Sequence, residues 1–244
     1  MNDEKLILAL DTSRLKGSVA IVRGAHTICE LLFDASDTHS ATLMPAVDIC
    51  VKTAGPGLDE IDLFAVVTGP GSFTGLRIGL ATIKALASIR KRPVALVGSL
   101  ESIAGSFPCC REIVVPVLDA RRSEIYIGAY DTSGGYPEEV IPPQAIRPGD
   151  MAGTLAGGGV TGSVILCGNG TETYREILET VLPAGSCIAD PVTGDPSAAV
   201  TAMIARRREP VVYEDLAAIE PMYIRPPDAK LPAGSKLREG GGQG

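Results

Sequence analysis

Between Val66 and Ala87 the sequence VVTGPGSFTGLRIGLATIKALA leaves the chain few choices. A short apolar run meets Gly69-Pro70-Gly71, and a long segment follows in which only Arg77 and Lys84 carry charge as far as Ile89. Such a run reads as a buried strand, the glycines and proline as a tight turn, and the remainder as a helix capped by Ser72. The turn raises the question of a phosphate cradle. A Walker loop needs G-x-x-x-x-G-K-[ST], but the fifth residue after Gly69 is Thr74 and the fifth after Gly71 is Leu76. A dinucleotide fingerprint needs G-x-G-x-x-G; Gly69 and Gly71 fit, yet Thr74 holds the third position and Gly75 comes one too late. Pro70 also removes an N–H that such a loop would use. The helix offers one side with Phe73, Leu76, Leu80 and Ile83, which suits a sheet, and another with Gly75, Gly79, Thr82 and Leu86. Glycine costs about 1 kcal/mol against alanine inside a helix, so the two glycines mark close backbone packing. That packing partner is either a neighbouring helix of the same lobe or another protein.

The rest of the chain repeats this grammar. Leu6–Leu10, Gly17–Gly24 and Thr27–Ala35 read as a three-strand meander. THSATLMPAVDICVKTAG suits a helix that either begins near Thr42, with Pro45 in its first turn, or kinks. LFAVVTGP and RPVALVGS are two further strands, each followed by a helix. A second set begins near Arg111: EIVVPVLDA and EIYIGAYD are strands, and EEVIPPQAI is a proline-bearing edge strand. SVILCGNG is a strand, TETYREILETV a helix, and PSAAVTAMIARRRE a helix with basic residues in its last turn. Two β-β-β-α-β-α units suggest a duplicated ribonuclease-H-like lobe, the α/β organisation of the ASKHA (actin, sugar kinase, Hsp70) class, with a degraded second copy. The boundaries expected are 1–104 and 105–225, with 226–244 a glycine-rich flexible tail.

Charge and composition narrow the function. The net charge of −7 repels phosphate, so a nucleic acid would need another subunit for most of its grip. No apolar run reaches bilayer-spanning length and the start MNDEK does not resemble a secretory signal, so no membrane association and a cytoplasmic location are expected. The six cysteines show neither C-x-x-C nor zinc spacing.

LALDTS, GSVAIV, THSATLMP, VVTGPGSFTGLRIGLATIKALA, VLDARRSEIYIGAY and EPMYIR together resemble the TsaB (YeaZ) family from Leu6 to about Arg225. That resemblance implies the two-lobed ASKHA fold and a non-catalytic subunit of tRNA threonylcarbamoyladenosine (t6A) biosynthesis. Its partners would be TsaD, in a heterodimer, and the ATPase TsaE; alone it would form a homodimer, and it would meet tRNA only through the complex. The related catalytic subunit TsaD carries P-x-x-x-V-x-H-x-x-x-H, whose histidines bind metal. Here Pro93 and Val97 are in register, but Ser99 and Ile103 stand at the ligand positions. The resemblance therefore implies no catalytic residue, no metal and no cofactor of the chain's own, with a nucleotide at the subunit interface left open. The surface expected to meet TsaD comprises Thr42, Pro45, Ala46, Ile49, Gly75, Gly79, Thr82 and Leu86. Rival readings are an ASKHA small-molecule kinase, with Asp11 as its carboxylate, and a metallopeptidase. Arg121-Arg122 either touches tRNA or caps a hairpin, and LCGNGTET is either a relic nucleotide loop or a plain turn.

Overall fold

The computed structural model describes residues 4–34, 39–55 and 57–224. Strand β1 (Leu6–Asp11) is buried along its whole length because both faces of its sheet are covered. Its alternation sends Leu6, Leu8 and Leu10 to one core and Ile7 and Ala9 to the other. Strands β2 (Lys16–Arg23) and β3 (His26–Asp34) add antiparallel on one side. Strands β4 (Leu63–Gly69) and β5 (Val94–Gly98) add parallel on the other, giving the order β3-β2-β1-β4-β5. Helices α1 (His39–Ala54) and α2 (Phe73–Arg90) cover the leucine face of β1. Helix α1 starts three residues before Thr42, so Pro45 falls in its interior rather than its first turn. The ring points to solvent, where water can serve the carbonyl of Ala41 that loses its helical donor.

The second sheet repeats the first. Strands β6 (Ile113–Arg121), β7 (Glu124–Asp131) and β8 (Glu138–Ile146) form an antiparallel meander. Strands β9 (Val164–Cys167) and β10 (Cys187–Ile188) then add parallel to β6, in the order β10-β9-β6-β7-β8. Position for position this is the topology of the first lobe, so the fold is the duplicated ASKHA arrangement. Erosion is visible in β10, two residues long where β5 has five. The segment read as one helix after β9 is broken at Tyr174 into α5 (Gly170–Thr173) and α6 (Arg175–Val181); α4 (Met151–Gly157) is also short. The lobes meet at α3 (Ser99–Ala104), whose Leu100, Ile103 and Ala104 pack with Val114, Leu118 and Tyr130 of the second sheet.

The boundary expected for the second lobe is corrected by the last described elements. Helix α7 (Ala198–Ala205) lies on the first sheet, not the second. Val211 then bridges Val94, Leu216 and Ile219 enter the first core, and Met222 donates its N–H to the Thr68 carbonyl at 2.8 Å. The cause is a row of alanines. Ala20, Ala9, Ala65 and Ala95 stand opposite one another across four neighbouring strands. These small side chains admit α7 closely, and it presents Ala198, Ala202 and Ala205 in return. The tail read as flexible lies outside the described residues.

Candidate functional site

The glycine turn packs against the end of β1. Gly69 has φ +122°, a left-handed conformation that favours glycine, and the Gly69-Pro70 bond is cis. A Cβ on Gly71 would overlap the Ser13 carbonyl, which accepts the Ser72 N–H at 2.7 Å. The Ser72 hydroxyl in turn accepts the Gly75 N–H at 3.3 Å and caps α2. Thus the glycines serve a close backbone approach, and the Ser72 donor that a phosphate would seek is taken by the chain itself. Asp11 is similarly engaged. Its Oδ1 accepts the Ser13 N–H at 2.9 Å and the Ser13 hydroxyl at 2.7 Å. Its Oδ2 pairs with Arg14 at 3.1 Å, both side chains buried. Arg14 also donates to the carbonyl of Gly194, so an internal guanidinium ties β1 to the other lobe. The loop after β9 is packed in the same way. Gly168, at φ +101°, faces the Val117 carbonyl, and a Cβ on Gly194 would lie 2.6 Å from the Gly168 Cα. LCGNGTET therefore forms a strand-to-helix turn sealed by backbone.

An opening of about 400 Å³ lies where Thr68 and Gly98 of the first lobe face Tyr130 and Glu139 of the second. Glu101, Glu139 and Glu220 line it against one cation, Arg208, which is ion-paired to Glu101. Burial, and then the charges of Glu101 and Glu139, push the Tyr130 hydroxyl well above the ordinary tyrosine range. An acidic lining of this kind disfavours a nucleotide phosphate. Ser99 and Ile103 are both buried: the Ser99 hydroxyl donates to the Pro70 carbonyl, and Ile103 packs between the lobes. Among the described residues no group of three or more His, Cys, Asp or Glu side chains is placed to hold a metal. The Arg121-Arg122-Ser123 tip between β6 and β7 is exposed, with all three residues left-handed.

The residues expected at the partner surface divide into two groups. Gly75 and Gly79 point inward: the Thr12 hydroxyl donates to the Gly75 carbonyl at 2.8 Å, and a Cβ on Gly79 would overlap that hydroxyl. These glycines let α2 approach the end of β1, so assigning them to an outer surface is corrected. Ala46 is likewise a core residue, 2% exposed. Thr42, Pro45 and Ile49 share a flank of α1 at helical spacing and remain at least partly exposed, as do Thr82 and Leu86 on α2. The structure adds Met44, 45% exposed, and Ile89, 72% exposed, which sequence reasoning missed. Ile89 could have been found by setting aside the core stripe Leu76, Leu80, Ile83 and Ala87; what remains is Ile78, Thr82, Ala85 and Ile89, again at helical spacing.

Arg77 and Lys84 of α2 serve its opposite flank, while Arg90 in its last turn pairs with Asp59. The Arg77 guanidinium lies 3.7 Å from the centre of the Phe73 ring, and its Nε donates to the Tyr223 hydroxyl at 3.2 Å. Lys84 donates to the carbonyls of Ala217 and Ile219. Both cations fasten the returning C-terminal segment, and the outward side of the α1–α2 layer then combines apolar and small groups with the exposed Asp48–Lys52 ion pair of α1.

The family model described as TsaD: tRNA N6-adenosine threonylcarbamoyltransferase matches residues 33–237. The tRNA threonylcarbamoyladenosine biosynthesis protein TsaB of Bacillus subtilis is 29% identical over 224 residues, 92% of this chain and 96% of that protein. The Haemophilus influenzae protein of the same name is 38% identical over 123 residues, 49% of this chain and 51% of that one. Among solved structures, YeaZ from Pseudomonas aeruginosa aligns with a TM-score of 0.74 at 26% identity, covering 90% of this chain and 99% of that one.

Proposed function

This chain belongs to the TsaD family, within its TsaB (YeaZ) branch, and from that premise we propose that it serves t6A biosynthesis as the non-catalytic subunit that binds and activates TsaD. The reaction served is transfer of threonylcarbamoyl from threonylcarbamoyl-AMP to N6 of the adenosine beside the anticodon in ANN-decoding tRNAs. The observation that carries the partner role is the outward display of Ile49 and Ile89 on two helices that cover one face of the sheet. Apolar groups gathered on one layer are the usual material of a protein contact. The contact comprises Thr42, Pro45 and Ile49 of α1 with Thr82, Leu86 and Ile89 of α2. Self-association in the absence of TsaD uses the same surface, TsaE joins the assembled pair, and tRNA is gripped by the other subunits because this chain carries a net −7.

The test is calorimetric titration of the purified chain with TsaD from the same organism, repeated with Ile49→Arg and Ile89→Arg. Both side chains are exposed, so each variant should keep its stability within about 0.5 kcal/mol. Each should weaken binding by about tenfold or more, which corresponds to about 1.4 kcal/mol. Folded variants that bind TsaD with unchanged affinity would overturn the assignment of this surface.

A further inference from the structure

We propose that Cys29 and Cys50 form a two-electron oxidation site, closing to a disulfide that ties α1 to β3. The two sulfurs lie 3.5 Å apart, in contact and unbonded. Cys29 sits on β3 opposite Ile21, and Cys50 on the core side of α1. Disulfide sulfurs are about 2.05 Å apart, so closure asks for an approach of about 1.5 Å, within reach of a small movement of the helix against an edge strand.

The two thiols differ in access, which sets the order in which they are oxidised. Cys29 is half-buried on an edge strand, so of the two it is the one nearer to a small oxidant in solvent. Cys50 is fully buried, and its thiol is pushed up to about 12, first by burial and then by Cys29 and the charge of Glu30. Cys50 is therefore a neutral thiol that must give up its proton in the step that closes the bond, which makes that step the slower one. With hydrogen peroxide as oxidant, the Cys29 thiolate attacks one peroxide oxygen, breaking the O–O bond and leaving a sulfenic acid and hydroxide. The Cys50 sulfur then attacks the sulfenic sulfur, the S–O bond breaks, and the Cys50 proton leaves with the departing hydroxide as water. The thiols lose two electrons and two protons, one peroxide is reduced, and two waters form. A dithiol reductant reverses the bond by exchange. Closure would fix the part of α1 that carries Pro45 and Ile49; the site itself stands whether or not that surface meets a partner.

The experiment treats the full chain, dilute, with equimolar hydrogen peroxide, then blocks remaining thiols with N-ethylmaleimide in denaturant and maps peptides by mass. Reduced protein should label at six cysteines and oxidised protein at four. One peptide pair should join Cys29 to Cys50, lighter by two hydrogens, and dithiothreitol should restore both labels. Cys29→Ser, a near-isosteric change at a half-buried position, should fold and leave Cys50 labelled after peroxide. The proposal is overturned if Cys29 passes to sulfinic acid while Cys50 stays a thiol. It is equally overturned if peroxide consumes the exposed Cys109 and Cys187 and no Cys29–Cys50 pair forms.

Discussion

Thr12 sits fully buried at the end of β1, with its hydroxyl donated to Gly75 and its side chain against Gly79. One threonine therefore dictates glycine at a position of α2 where helix propensity favours alanine. The conflict can be measured. Gly79→Ala gains about 1 kcal/mol of helix propensity but drives a methyl into the Thr12 hydroxyl, an overpacking worth about 1–3 kcal/mol. In a Thr12→Ala background the oxygen is gone and the nearest remaining atom, the residue 12 Cβ, lies 3.4 Å away. Urea unfolding should show Gly79→Ala destabilising in the wild-type background and neutral or stabilising beside Thr12→Ala. Equal effects in both backgrounds would mean that the hydroxyl does not set the glycine. A bulky substitution at Gly79 is for the same reason a poor probe of partner binding, because it disturbs the lobe first.

At the scale of the element, α2 and α7 illustrate two ways of packing a helix on one sheet. Helix α2 divides its surface among Leu76, Leu80 and Ile83 toward the core, Arg77 and Lys84 toward the C-terminal segment, and Ile89 toward solvent. Helix α7 is apolar almost all round and depends on the alanine row beneath it. Ala202 is fully buried on that row. Ala202→Leu should cost about 1–3 kcal/mol by overpacking, whereas Ala81→Leu on the exposed side of α2 should stay within about 0.5 kcal/mol. Chemical denaturation of the two variants side by side checks this; equal stabilities would show that α7 has room to spare.

For the whole molecule, the decisive groups are those that cross between lobes. Helix α3 carries Leu100 and Ile103 into the second sheet's core, and Lys16 pairs with Asp195 at 2.6 Å near the surface. The buried link is Asp11–Arg14–Gly194. Removing one member of a buried ion pair costs about 3–5 kcal/mol, since the other charge is stranded. Arg14→Gln should accordingly lower the melting temperature sharply in scanning calorimetry. Asp11→Asn with Arg14→Gln should cost clearly less than the two single changes added together, because no charge is left unpaired. Strict additivity would mean that the pair does not act as a unit.

Periodicity and turn chemistry in the sequence determined the succession of strands and helices in each lobe, its duplication, the edge position of β8 and the failure of both nucleotide motifs. Those are local properties: alternation says which residues share a strand face, and glycine spacing either meets a motif or does not. The tertiary structure alone decided which way Gly75, Gly79 and Ala46 face, because a helix pattern defines stripes but not what lies opposite each one. It alone placed residues 198–224 on the first lobe. AAVTAMIA is apolar on nearly every side, so its pattern selects no surface, and the alanines that receive it are scattered over four strands from Ala9 to Ala95. The proximity of Cys29 and Cys50 has the same origin. The strand and the helix that carry them follow one another in the chain, but their two sulfurs meet only because packing brings the buried face of α1 against that side of β3.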